Sequence, residues 1–241
     1  MKFDIISIFP EFFESPLSCG MIRIAREKKV LDVNIVNPRD FATDRVVDDY
    51  QFGGGAGMVF KPEPLTKAIE SVRTAESLLV SLTPKGRLLD QTTVKELANS
   101  EHMILLCGRY KGIDERVRQI FDPVEISIGD YVLSGGETGA IVLVECIARL
   151  LPGVLGNRDS AESDSFAGSL LEAPLYTRPA TYRKKRVPPV LRSGDHMRIA
   201  GWRRKRSIEI TLEHKPELLN DETFSEKDFQ ILLEVLNGKN S

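Results

Sequence analysis

The 241-residue sequence is poor in the residues that build disulfide frameworks and metal centres, with three cysteines and three histidines. Cys19, Cys107 and Cys146 are odd in number, share no ligand-like spacing and sit among apolar or small neighbours, so reduced thiols of a cytoplasmic protein are expected. His102, His196 and His214 show no ligand-like spacing to a cysteine, so no structural zinc site is expected. No apolar run reaches membrane-spanning length; the longest, residues 140–151, contains Glu145 and Arg149. The opening MKFDIISIFPEFF lacks the apolar stretch and cleavage site of a secretory leader, so none is expected. Net charge is also nearly absent: 33 Lys and Arg against 35 Asp and Glu argue against a uniformly basic coat, and neither DNA nor a membrane is expected as a partner. The common nucleotide cradles are missing as well. GGGAG at Gly53–Gly57 fails G-x-G-x-x-G because Met58 takes the third glycine's place, and no phosphate-loop motif occurs.

What is present is polarised. The stretch Arg178–Arg206 holds eleven Lys and Arg and one acid, Asp195, leaving a net −12 on the other 212 residues. Upstream, short β-branched runs alternate with helical patterns. Phe3–Phe9, Val33–Asn37, Leu78–Thr83, Met103–Cys107 and Val124–Ile128 read as strands, several apolar on both faces. Leu17/Met21/Ile24, Leu65/Ile69/Val72 and Val94/Leu97 behind an Asp90 cap read as amphipathic helices, which together make an α/β domain. Ser134-Gly-Gly-Glu137 has the form of a capping box before an almost wholly apolar helix that Pro152-Gly153 stops. After Gly156 the composition turns to Ser, Asp, Ala and Gly, the mark of a flexible linker. Two further helices, near His196–Arg206 and Ser225–Leu236 with a Phe229/Leu232/Leu233/Leu236 stripe, predict a small helical second domain.

Two glycine loops follow strands, where open α/β sheets place ligands. One is Cys107-Gly-Arg-Tyr-Lys-Gly-Ile-Asp-Glu-Arg116; the other is Ser127-Ile-Gly-Asp-Tyr-Val-Leu-Ser-Gly-Gly-Glu137. Each glycine taken singly is explained by turn chemistry. Two such loops, each with a tyrosine, point to a shared pocket.

CGRYKGIDERV, SIGDYVLSGGE, FDIISIFPEFF, VDDYQFGGGAGM and LLPGVLGNRDSAESDSF followed by LYTRP are spread along nearly the whole chain. In them the sequence resembles the bacterial tRNA (guanine-N1)-methyltransferases of the SPOUT superfamily. The resemblance implies a SPOUT-type parallel sheet with a deep trefoil knot over residues 1–156, a linker over 157–173 and a helical tRNA-binding domain over 174–241, paired as a homodimer. Periodicity alone fits an open flavodoxin-like sheet equally well, and the knot comes from the resemblance. By matching motif, S-adenosyl-L-methionine lies against Leu82, Pro84, Gly108, Tyr110, Ile128, Gly129, Asp130, Tyr131, Val132, Leu133, Gly135 and Gly136. The implied reaction moves its methyl group to N1 of the guanosine at tRNA position 37, with the anticodon stem-loop as partner. N1 carries a proton, so a base must take it while a cation stabilises charge developing at O6. The motifs put Asp164 in the first role and Arg149 in the second. The family commonly has an acid, linked to magnesium, where this chain has Lys111, so magnesium is possible but no metal ligand is assigned.

Read without the family, Asp164 is a solvated loop acid and Arg149 a cation at a helix C-terminus. Arg183-Lys-Lys-Arg186 and Arg203-Arg-Lys-Arg206 have little acid nearby in sequence, which favours RNA phosphates as their partners. Tyr182 and Trp202 precede them; Trp202 is expected in the small domain's core. The competing functions are a non-catalytic RNA-binding module and a methyltransferase aimed at ribose or another base.

Overall fold

The computed structural model describes residues 1–155, 164–166, 170–221 and 224–238. It divides into two compact units, Met1–Gly156 and Asn157–Ser241. The first holds a five-stranded sheet of β1 (Lys2–Ile6), β2 (Asp32–Val36), β5 (Leu78–Leu88), β6 (His102–Cys107) and β7 (Val124–Ser127). The order is β2-β1-β6-β5-β7, and every pairing is parallel. Helices α1 (Gly20–Glu27), α3 (Gln91–Leu97) and α5 (Glu137–Leu150) supply Ile22, Val94, Leu143 and Ile147 to one apolar cluster with Phe3, Ile5, Met103 and Leu105. α2 (Pro62–Val72) and α4 (Glu115–Phe121) bring Leu65, Ile69, Val117 and Phe121 to a second cluster with Ile6, Ile104 and Leu106. Alternate residues of β1 and β6 thus feed opposite clusters. All six residues of β6 are buried, and after His102 the run MILLC is apolar throughout.

The strand expectations match within a few residues at their ends, with one consequential difference. β5, expected to stop at Thr83, continues to Leu88. Ile126 of β7 pairs with both Leu82 and Arg87, so residues 83–86 leave the ladder and the chain runs close against the β7 backbone at Gly86. A Cβ on Gly86 would stand 2.3 Å from backbone atoms of Glu125 and Ile126. Glycine is what lets the chain pass there. A small hairpin, β3 (Asp48–Tyr50) with β4 (Met58–Phe60), completes this unit, and the GGGAG segment is its loop.

Asp90 caps α3 as expected, accepting from the Thr93 amide at 2.7 Å. The Ser134/Glu137 capping box does not form. Gly136 is the N-cap of α5 and no side chain caps it; Glu137 instead turns inward to long-range partners. The helix expected over 17–24 starts at Gly20, with Leu17 in a preceding short turn.

In the second unit β8 (Thr181–Tyr182) and β9 (Lys185–Arg186) form a hairpin, followed by α6 (His196–His214) and α7 (Glu226–Gly238). α6 extends to His214, well past the expected end at Arg206. The Asp195 side chain caps it at the Arg198 amide. A capping box does occur at the start of α7: Ser225 Oγ accepts from the Asp228 amide at 3.2 Å, and Asp228 accepts from the Ser225 amide at 3.0 Å. The apolar stripe expected on α7 is displaced. Phe229, Leu233 and Leu236 are exposed, whereas Asp228 is buried and Ile231, Leu232 and Val235 are half-buried. Pairing of Asp228 with Arg204 sets that rotation. Of the expected linker, residues 157–163 and 167–169 lie outside the described residues. Its end is tied down: the Leu171 amide donates to Thr211 Oγ1 at 2.9 Å.

Candidate functional site

The break in β5 at residues 83–86 and the loops leaving the C-terminal ends of β6 and β7 surround one cavity of about 640 Å³, a size in the usual range for small-molecule sites. The β6 loop is clamped from the side by β4. Phe60 N–H donates to Gly112 O at 3.0 Å, Asp114 N–H to Phe60 O at 3.1 Å, and Lys111 N–H to Met58 O at 2.9 Å. Tyr110 adopts φ 60° there, an uncommon conformation for a bulky residue, and its ring meets Phe60 edge-on at 5.4 Å. Burial first, and then the nearby Asp48 carboxylate, push the Tyr110 phenol above its ordinary range. It is a neutral ring and hydroxyl at physiological pH.

The β7 loop turns at Gly129, φ 146°, where a Cβ would stand 2.4 Å from the Tyr131 ring. Tyr131 O–H donates to Ile128 O at 3.0 Å and folds back over the loop. The two glycine loops also join directly: Gly136 N–H donates to Gly108 O at 2.9 Å, and the Arg109 backbone bridges to Gly135. A Cβ on Gly136 would stand 2.9 Å from the Cys107 backbone, so the residue's smallness serves this contact between the loops. Cys107 itself is no nucleophile. Burial, then the Glu137 charge, hold its thiol well above the ordinary range.

All twelve residues expected against the cofactor line this cavity: Leu82, Pro84, Gly108, Tyr110, Ile128, Gly129, Asp130, Tyr131, Val132, Leu133, Gly135 and Gly136. Leucine, isoleucine and proline make apolar walls, and the loop backbone offers N–H and C=O groups at the rim. That combination accepts a flat heterocycle with polar edges. Asp164 and Arg149 do not line it. Arg149 is exposed in the last turn of α5, about 18 Å along the helix from Glu137 at the cavity end. Asp164 is half-buried and belongs to the second unit.

The sequence matches the family described as tRNA (Guanine-1)-methyltransferase TrmD over residues 1–221. It is 49% identical to a tRNA (guanine-N(1)-)-methyltransferase of Geobacter metallireducens over 244 residues, covering 99% of each chain. It is 50% identical to the protein of the same description from Syntrophomonas wolfei, covering 98% of this chain and 97% of the relative. The chain belongs to the tRNA (guanine-N1)-methyltransferase family. A relative in Dehalococcoides mccartyi, 45% identical, is matched over 100% of this chain and 99% of its own length.

Family membership gives the basic unit a substrate to be weighed against, and its two clusters fare differently. Arg183, Lys184, Lys185 and Arg186 are all exposed on the β8–β9 hairpin. Arg183 and Lys184 form its tip at φ 46° and 66°, positions that two-residue hairpins usually give to Asn or Gly. The second cluster corrects the expectation that it lacks acidic partners. Arg204 pairs with Asp228 at 2.9 Å, Lys205 with Glu234 at 3.0 Å, and Arg206 with Glu209. The Arg204 and Lys205 pairs hold α6 against α7, and the Arg206 pair lies within α6. Trp202 is half-buried, 6.3 Å from the Tyr176 ring.

Arg109 also lines the cavity, although no role was expected of it; its signal was its place inside the CGRYKG motif. Lys85, Glu115 and Arg118 line the cavity too and add charge to it. Lys111 lies along Gly57, whose Cβ would stand 2.9 Å from its side chain. Among the described residues no three His, Cys, Asp or Glu side chains converge as metal ligands, and no helix is long and apolar enough to cross a membrane.

Proposed function

We propose that this chain methylates N1 of the guanosine at tRNA position 37, holding S-adenosyl-L-methionine in the cavity between the glycine loops. The tRNA (guanine-N1)-methyltransferase activity follows from family membership, and the cavity is the observation that supports the location. The donor supplies an electrophilic methyl on a sulfonium. The chain's own residues bind and orient: apolar walls from Leu82, Pro84, Ile128 and Leu133 take the nucleoside, and the loop backbone selects its polar edge. Asp164 accepts the N1 proton, and Arg149 steadies charge at O6.

The distance of about 18 Å between Arg149 and the cavity end of α5 cannot be closed within one chain's rigid helix. This supports a homodimer in which the partner's helix end completes each site. The break in the β5–β7 ladder at residues 83–86 and the tight approach of Gly86 to the β7 backbone fit the trefoil knot that the family implies. The exposed cations at the β8–β9 tip suit phosphates of an anticodon stem-loop. No magnesium ligand is assigned to the chain, because Lys111 is a cation where an acid would be needed. A cytoplasmic site of action fits free thiols at Cys19, Cys107 and Cys146.

The test has two measurements. Calorimetry with S-adenosylhomocysteine is expected to give one site per chain, lost in a Tyr131→Ala/Leu133→Ala variant. Mass analysis of tRNA treated with the protein is expected to find 1-methylguanosine at position 37. Ribose methylation, another base, or tRNA binding with no product each overturn the reading.

A further inference from the structure

Glu137 begins α5 with a side chain 2% exposed and does not line the cavity. Its carboxylate is gripped from two distant segments. Ser7, just past β1, donates its hydroxyl to Oε1 at 2.8 Å. Arg109, in the β6 loop, donates Nε to both oxygens at 3.2 and 3.1 Å. The Arg109 guanidinium lies 4.4 Å over the Phe9 ring. A buried carboxylate is tolerated because it is paired, hydrogen-bonded and placed in the first turn of a helix.

The surrounding glycines are shaped to this pair. A Cβ on Gly135 would stand 2.4 Å from Glu137 Oε2 and 2.5 Å from Arg109 Nε. The backbone bridge of Arg109 to Gly135 and the Gly136–Gly108 hydrogen bond lie directly beside it. The pair therefore spans the two loops at the place where their backbones meet. Helix initiation does not explain it, since the Glu137 side chain caps nothing.

We propose that Glu137 is a positioning residue: acting through Arg109 and anchored by Ser7, it sets the spacing of the two glycine loops and thereby the shape of the cofactor pocket. The inference rests on the pocket being the S-adenosylmethionine site, and its effect on the loops is measurable without the cofactor. Removing the charge frees Arg109 from its orientation, and the loops then sample wider separations.

The experiment compares Glu137→Gln, Arg109→Lys and Ser7→Ala with the parent chain. In Glu137→Gln, hydrogen exchange of amides in residues 108–112 and 135–136 is expected to speed by about ten-fold with β6 unchanged. The S-adenosylhomocysteine dissociation constant is expected to rise by about ten-fold or more, and tRNA affinity to stay within about two-fold. Ser7→Ala keeps the ion pair and is expected to show the same pattern at about three-fold, which serves where Glu137→Gln does not fold. The double variant Glu137→Gln/Arg109→Lys is expected to lose little beyond the single ones, because the residues act as one unit. Unchanged loop exchange in a folded Glu137→Gln or Ser7→Ala chain overturns the clasp. Faster loop exchange in the variants, with a parent chain that binds no S-adenosylhomocysteine, keeps the clasp and overturns the pocket's assignment.

Discussion

The two units of this chain are stabilised by different physics. The first buries a sheet between two helical layers, with Phe3, Ile5, Leu105 and Leu106 fully removed from solvent. Its interior is largely apolar, and its buried polar side chains are held by specific partners. Asp4, in the middle of β1, receives Asn34, His102 and Lys2; beyond the carboxyl ends of β1 and β6, Glu137 receives Ser7 and Arg109. The second unit has few buried side chains among its described residues, including Ala173, Ile208, Thr211 and Asp228. Ion pairs and a capping box support its helices. A rigid apolar frame suits a pocket whose walls must hold their positions closely, whereas a charged module suits a polyanion whose contacts are exchanged for ions. The comparison teaches that one residue type is used oppositely: Arg109 is half-buried and orienting in the first unit, and Arg183 is solvated at the hairpin tip of the second.

The sharpest break of that comparison is chemical. Asp164→Asn is expected to lower methyl transfer by roughly 10²–10⁴-fold in single-turnover assays while calorimetry shows unchanged S-adenosylhomocysteine binding. A loss of cofactor binding instead would move Asp164 from proton transfer to pocket structure. Next in size, Gly86→Ala places a methyl against the β7 backbone and is expected to cost about 3 kcal/mol in denaturant unfolding. Cofactor affinity should fall with it, since Leu82 and Pro84, beside this break in the ladder, line the cavity. A wild-type unfolding midpoint would mean that residues 83–86 pass β7 less closely.

At the hairpin, replacing Arg183, Lys184, Lys185 and Arg186 together by alanine is expected to weaken tRNA binding and flatten its logarithmic salt dependence by roughly 3 to 4. S-adenosylhomocysteine binding should not change. An unaltered salt slope would remove the hairpin from the RNA interface.

The smallest effect concerns Asp228. Its hydrogen bonds from Arg204, and then from Ser225, bring its pKa down to about 2, against burial that raises it. A depressed folded-state pKa means that the stabilisation is complete above the ordinary carboxylate range and is lost as pH falls from about 4 toward 2. Asp228→Asn is expected to destabilise the second unit by about 1–2 kcal/mol at neutral pH and to flatten that acid limb. Thermal melts of parent and variant across this range check it; parallel curves would mean that other acids govern the limb.

Legibility followed the reach of each interaction. The β6 run could be read because burial on both faces demands consecutive apolar residues, and the Asp90 cap because its bond spans three residues. Ser134/Glu137 misled for the complementary reason: S-x-x-E describes a local cap equally well as a carboxylate claimed from afar, here by Ser7 130 residues away. The partners of Arg204 and Lys205 lie 24 and 29 residues downstream, beyond any count of neighbouring charge. The α7 stripe slipped because hydrophobicity alone assigned its inner face, whereas the Arg204 pair draws Asp228 inward.

Composition and spacing by themselves established an α/β unit followed by a basic helical one and the two strand-end loops, and the family came from the resemblance of whole motifs. Folding decided which glycines make room for backbone and which for a buried ion pair, where β5 breaks its pairing with β7, and which cations stay open to an outside anion. Patterns along a chain record forces acting over a few residues, and each of those outcomes depends on segments that meet only after the chain has folded.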